Sequence, residues 1–202
     1  MTTSVEFHFD FGSPNAYLAH RVIPSITART GVRFVYHPVL LGGIFKLTNN
    51  QPPMVQFKGI RNKAEYARLE TARFIKRHGI AAFRPNPHFP VNTVQIMRGA
   101  VLAGRDGFFD LYVETAFRAM WEEGRKMDDP QVIKATLIDA GIDGDRVLEG
   151  IQEQSIKDKL LADTEASVER GNFGSPTFFV DGEMYFGKDR LDDVERVIGK
   201  AG

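Results

Sequence analysis

The sequence predicts an α/β fold in the order βαβ, helical insertion, ββα. Three observations carry that prediction. Residues alternate apolar and polar at Val5–Asp10 and again at Val32–Tyr36, which is the period-2 pattern of a strand. From Arg61 to about Gly171 the apolar spacing is then helical throughout. Near the end, Asp181-Gly182 sits between two β-rich runs, the strongest short hairpin signal in the chain.

The elements follow in order. Val5, Phe7 and Phe9 alternate with Glu6, His8 and Asp10 as a first strand, after the polar start Met1-Thr2-Thr3-Ser4. Pro14 has the fixed φ suited to a first helical turn, and Tyr17, Leu18, Val22, Ile23 and Ile26 recur at helical spacing until Gly31 stops the helix. Val32 to Tyr36 alternates again and is limited by Pro38. The stretch from Leu40 to about Lys58 carries Gly42-Gly43, Asn49-Asn50 and Pro52-Pro53, and reads as a loop too long for a plain connector.

In the helical part, Tyr66, Leu69, Phe74 and Ile75 mark a helix ending near Gly79, and the Pro-rich run Arg84 to Pro90 follows it. Val94, Met97, Val101 and Leu102 form the next apolar face. Phe108 to Trp121 forms a third, with Asp106 as its cap. Asp128-Asp129-Pro130 opens a short helix ending at Gly141, and helices around 146–151 and 155–170 complete the insertion. Thr177 to Val180 and Glu183 to Phe186 are then antiparallel strands, and Leu191, Val194, Val197 and Ile198 mark a final helix.

Composition restricts the function. A chain of 202 residues is one large domain, or one domain carrying an insertion, and with 43% hydrophobic residues and 16 Phe it can bury a sizeable core. Lys plus Arg and Asp plus Glu are 26 each, so net charge gives no reason to expect a nucleic-acid or membrane partner. No apolar run is long enough to span a bilayer and no signal-peptide pattern is present, which makes the cytosol the expected location. With no cysteine, disulfides, thiolate metal sites and dithiol redox chemistry of the protein itself are excluded, so sulfur chemistry would need a ligand's sulfur. The five His show no ligand spacing, and no metal site is expected.

The chemistry is expected at Asp10-Phe11-Gly12-Ser13-Pro14, between the first strand and helix. Ser13 falls at the N-cap. There its hydroxyl either accepts from a free backbone N–H or turns toward an anion that the helix terminus also attracts.

These residues, with Pro38-Val-Leu-Leu-Gly-Gly-Ile-Phe-Lys46, Asn50-Gln-Pro-Pro53, Phe173-Gly-Ser-Pro-Thr177 and Phe186-Gly-Lys-Asp-Arg190, lie at element junctions in an order that resembles one family. The chain is similar, over nearly its whole length, to the 2-hydroxychromene-2-carboxylate isomerases and kappa-class glutathione transferases. The resemblance implies a thioredoxin-like α/β fold, with residues 1–42 and 172–202 as the thioredoxin-like domain and 43–171 as an all-helical insertion domain with its entry loop. It implies glutathione as cofactor, a small aromatic carboxylate as substrate, and a homodimer.

By the same resemblance Ser13 faces the glutathione sulfur. A thiol with a pKa of about 8.5 is mostly protonated at neutral pH, and a hydrogen bond from Ser13 together with the helix terminus would favour the thiolate. Ser13 is thus an activator, with no base in the motif to make it a nucleophile itself. Ser175-Pro176 matches the cis-proline that offers backbone groups to the cysteinyl part, and Asp189 matches the acid that holds the γ-glutamyl ammonium. Lys188 departs from the small or amide residue usual there and would serve through its backbone N–H. Asn50 and Lys58 match loop contacts to the glutathione backbone. Phe11, Phe89 and Trp121 are expected to wall the substrate pocket, with Asn92 or Arg84 meeting the substrate carboxylate. A glutathione-dependent isomerase is the leading reading. A kappa-type transferase and a non-catalytic glutathione- or peptide-binding module are the alternatives.

Overall fold

A computed structural model describes residues 4–199, so the polar start at Met1–Thr3 lies outside the described residues. The chain runs β1 (Val5–Phe9), α1 (Pro14–Thr30), β2 (Phe34–Pro38), then helices α2 (Leu41–Thr48), α3 (Pro53–Gln56), α4 (Lys63–His78), α5 (Val94–Asp106), α6 (Phe109–Trp121), α7 (Pro130–Asp139), α8 (Gly144–Gly150) and α9 (Gln154–Glu169). It closes with β3 (Thr177–Val180), β4 (Glu183–Phe186), a 3-10 turn at Lys188–Arg190 and α10 (Leu191–Ile198). This is a thioredoxin-like α/β core with an inserted all-helical subdomain. Among the described residues no helix is long and apolar enough to cross a membrane.

The sheet order is β2-β1-β3-β4. β1 pairs parallel to β2 and antiparallel to β3, which places the N-terminal strand centrally. Its inward face explains why it can sit there: Phe7 and Phe9 are fully buried, and Phe7 stacks on Phe178 of β3 with centroids 5.3 Å apart. The β3–β4 turn takes the left-handed backbone that Asp-Gly tolerates, with φ 48° at Asp181 and 92° at Gly182. That register brings Phe186 opposite Thr177, so the segment after β4 returns beside Pro176.

Two sequence expectations, the long loop and the Asp106 cap, are corrected, while the helix ending near Gly79 is present as α4. The stretch from Leu40 to Lys58 is two helices, α2 and α3, because Pro53 starts a turn and Gly42-Gly43 fits a short helix whose Ile44 is buried. Helix α2 runs across position 42. Asp106 is the last residue of α5, paired with Arg105 and Arg146, and α6 starts after Phe108 without a side-chain cap. On α4 only Phe74 is buried, while Tyr66 and Leu69 face outward; helical spacing identifies a stripe but not what covers it.

Candidate active site

Ser13 caps α1 as its position before Pro14 dictates: its backbone is extended and its Oγ accepts from the Ala16 N–H at 3.2 Å. The hydroxyl hydrogen goes elsewhere. It donates to the Ser175 carbonyl at 2.8 Å, across the gap between the start of α1 and the loop before β3. Ser175–Pro176 is a cis peptide, and the Gly187 N–H donates to the Pro176 carbonyl at 2.9 Å. One end of the sheet therefore gathers Ser13, Ser175, Pro176, Lys188 and Asp189. Asn50 joins them from the end of α2, its Nδ2 donating to the Phe173 carbonyl at 2.7 Å.

Asp10, which lies in the stretch where the chemistry is expected but has no role of its own in the sequence reading, holds this assembly from below. Its carboxylate is fully buried and accepts from the Gly12 N–H and from the Leu41 N–H, each at 2.7 Å, with the Thr93 hydroxyl beside it lowering its pKa. Its own N–H donates to Ser175 Oγ at 3.1 Å. One side chain thus ties the β1–α1 turn to the starts of α2 and α5. Burial raises its pKa, against the opposing pull of those donors. Gly12 gives it room, since a Cβ there would press on Thr93 Cγ2 at 3.0 Å and Asp10 Oδ1 at 3.2 Å. The Asp10-to-Gly12 bond is an Asx-turn pattern, a signal the sequence does carry.

Asp10→Asn tests this tether. The amide can accept from one of the two N–H groups but turns its NH2 toward the other. Leaving one buried donor unpaired predicts a loss of about 1–3 kcal/mol in chemical denaturation, with faster amide exchange at Leu41.

Lys188 is the unexpected residue here. Its side chain is only 5% exposed, its Nζ lies 2.7 Å from Asp189 Oδ1, and it sits 5.0 Å from the centre of the Phe74 ring. Asp189 is its opposite, 67% exposed. Together with Arg73, Phe74 and Arg77 they line a cavity of about 160 Å³ between α4 and the start of α10. Lys58 lies exposed just beyond α3.

The expected substrate wall is largely core. Phe11 is fully buried against Phe117, and Trp121 is buried with its Nε1 donating to the Phe11 carbonyl at 2.7 Å, so both brace the β1–α1 turn from inside. Phe89 is the exposed member, its ring 5.9 Å from that of Trp121. Arg84 donates to the Ala81 and Phe83 carbonyls, and Asn92 Oδ1 accepts from the Val94 N–H at the start of α5.

Strand pairing also creates a cluster that spacing along the chain does not reveal. His8 and His37 are register partners, and with Glu6 they hold ligand-type atoms within 4.8 Å of one another. Glu6 is already bidentate to Arg170, at 2.6 and 3.0 Å, the two imidazoles stack at 4.9 Å with 25° between planes, and His8 Nε2 and His37 Nε2 lie 3.0 and 3.6 Å from the same Glu6 oxygen. The group is an ion-paired network. Arg170 holds Glu6 down at about 2, and burial brings His8 to about 4.

Comparison with known proteins agrees with this architecture. The family model of the DSBA-like thioredoxin domain matches residues 4–199. The chain is 26% identical to the 2-hydroxychromene-2-carboxylate isomerase of Pseudomonas putida over 196 residues, covering 97% of this chain and 94% of that one. It is 25% identical to glutathione S-transferase kappa 1 of Rattus norvegicus, covering 97% and 91%. A solved structure of 2-hydroxychromene-2-carboxylate isomerase superposes with a TM-score of 0.82 at 26% identity, covering 98% of this chain and 95% of the other. The chain belongs to the DSBA-like thioredoxin domain family, and within that fold it is homologous to the 2-hydroxychromene-2-carboxylate isomerases and kappa-class glutathione transferases.

Proposed function

We propose that the protein is a cytosolic, homodimeric, glutathione-dependent isomerase that interconverts 2-hydroxychromene-2-carboxylate and trans-o-hydroxybenzylidenepyruvate. The observation that carries this is the Ser13 hydroxyl, at the N-terminus of a 17-residue helix and bonded across to Ser175 beside a cis-proline, in a chain without cysteine. The donor set fits a thiol peptide. Bound glutathione would supply a nucleophilic sulfur whose reversible addition turns the substrate double bond into a rotatable single bond and whose departure regenerates the thiol.

The residues divide the rest of the work. Rotating the Ser13 O–H from the Ser175 carbonyl toward sulfur stabilises the thiolate and frees that carbonyl for a peptide N–H, so one internal hydrogen bond is exchanged for two to the ligand. The positive end of α1 acts in the same direction. Lys188 and Asp189, already an ion pair, suit the carboxylate and ammonium of the γ-glutamyl group, each partner exchanging its counter-ion for one on the ligand. Asn50 and Lys58 are assigned the glycyl end, and Pro176 keeps Ser175 presented. Phe89 is assigned to the aryl group, with Asn92 or Arg84 for the substrate carboxylate. Exposed Met54, Val55, Ile60, Tyr66 and Leu69 on and around α3 and α4 provide apolar surface for a second copy.

Similarity to the rat kappa-class enzyme favours a transferase as the second reading. Enzyme with a hydroxychromene carboxylate and catalytic glutathione is expected to convert many equivalents without consuming thiol. If thiol instead falls mole for mole with a chloronitrobenzene-type acceptor while the chromene is untouched, the transferase reading replaces the isomerase. No calorimetric signal at millimolar glutathione would remove both.

A further inference from the structure

The loop that presents Ser175 is clasped from beneath by one amide. Asn172, fully buried just past α9, accepts at Oδ1 from the Gly174 N–H at 2.9 Å and from the Thr177 hydroxyl at 2.8 Å. Those two donors lie on either side of Ser175–Pro176, so a single oxygen closes the base of the arch. Its Nδ2 donates the other way, to Ser167 Oγ at 2.8 Å. Beyond that, Ser167 Oγ is 2.8 Å from His8 Nδ1, His8 Nε2 is 3.0 Å from Glu6 Oε2, and Glu6 is held by Arg170.

Counting hydrogens fixes the direction of the whole chain. The Gly174 N–H can only donate, so the Asn172 amide cannot be flipped without setting N–H against N–H; the Thr177 hydroxyl, which also lies 3.0 Å from the Gly174 carbonyl, has its one hydrogen within reach of both oxygens. The direction is set from the far end: the Glu6 carboxylate only accepts, so neutral His8 carries its proton on Nε2 and donates it to Glu6, which leaves Nδ1 to accept from the Ser167 hydroxyl while Ser167 Oγ accepts from Asn172 Nδ2. Donation thus runs Asn172 to Ser167 to His8 to Glu6 and ends on a carboxylate, with each member buried or partly buried where a mispaired group is costly.

We propose that Asn172 is a positioning residue for the candidate active site, fixing the Gly174–Thr177 arch so that Ser175 meets Ser13 and Asp10, and that Ser167 and His8 hold Asn172 in the one orientation that does this. Only the catalytic consequence rests on the proposed glutathione reading; the positioning itself is a property of the ligand-free protein. Asn172 touches no reacting atom. It acts through Ser175, whose carbonyl accepts from Ser13 Oγ and whose hydroxyl accepts from the Asp10 N–H.

Amide hydrogen exchange on the ligand-free protein separates positioning from general stability. In Asn172→Ala, protection at the Gly174 and Asp10 amides is expected to fall at least tenfold further than at the β1–β3 ladder amides Glu6 and Phe179. Asn172→Asp keeps both acceptor bonds to the arch and is expected to restore Gly174 to within about threefold of wild type. Ile133→Val, a core change in α7, serves as the control, with a uniform fall. Should the alanine variant not fold, Thr177→Val removes one of the two clasped donors and is expected to free the same amides. Equal losses at arch and ladder in both variants would overturn the proposal. A wild type that does not bind glutathione would remove the proposed function while leaving these exchange outcomes intact. If it does bind, Asn172→Ala is expected to raise KM for glutathione at least fivefold, an effect Ile133→Val does not produce.

Discussion

Ser13→Ala is expected to lower turnover roughly ten- to a hundredfold, the kinetic equivalent of the ~1.5–3 kcal/mol of a hydrogen bond to a charged group. Glutathione affinity should change little, because the peptide contacts lie on other residues. Ultraviolet absorbance of the bound thiolate against pH reads the cause directly, as a raised thiol pKa in the variant. The same substitution removes the cap to Ala16, so a stability loss of about 0.5–2 kcal/mol should accompany it. The two effects are separable. A lower melting temperature with an unchanged thiol titration would mean that the helix terminus alone suffices and that Ser13 only caps.

Acid should destabilise the fold well before carboxylates in general are protonated, and His8 is the reason. Burial brings its pKa from 6.5 to about 4, so between those values the unfolded chain binds a proton that the native state refuses. Stability is therefore lost as pH falls from about 6.5 to about 4. At 1.36 kcal/mol per pKa unit, roughly 2–3 kcal/mol should disappear between pH 7 and pH 4.5. His37, lowered by burial, adds in the same direction; Asp10, raised by burial, opposes it. Comparing wild type with His8→Gln isolates the one group, since the amide preserves a neutral donor and acceptor but does not titrate. Denaturation curves of equal pH slope in the two proteins would show that His8 is not the acid-sensitive element.

The outer frame was legible because it depends on local chemistry. Alternation at Val5–Phe9, the Ser13-Pro14 cap, the Asp181-Gly182 turn and the proline after Ser175 each act within a few residues, and each sits where the sequence puts it. What holds the site together acts across the chain. Asp10 meets Leu41 and Thr93, Asn172 meets Ser167 and Thr177, and His8 lies beside His37 only because β1 pairs with β2 in that register. The aromatic residues show the same limit from the other side. Phe11 and Trp121 suit a pocket wall or a core equally by composition, and only the packing of α6 under the β1–α1 turn assigns them to the core.

The central place of β1 in the sheet has a consequence for how the protein is made on the ribosome. Once β2 has emerged β1 can pair with it, but its other edge is completed by β3, which brings Val180 opposite Val5. At about 5–20 residues per second the nascent chain carries that open edge on the order of ten seconds, through synthesis of every helix of the insertion. Closing so long a loop costs little more than closing one half its length, so the delay is one of time more than of free energy. Until the last hairpin is released, an aromatic-rich strand offers unpaired N–H and C=O groups to any neighbouring chain, and Ser13 waits without the Ser175 carbonyl. Chaperone demand during synthesis should therefore be set by the codons for β3 and β4, where a pause would prolong exposure of the open edge of β1.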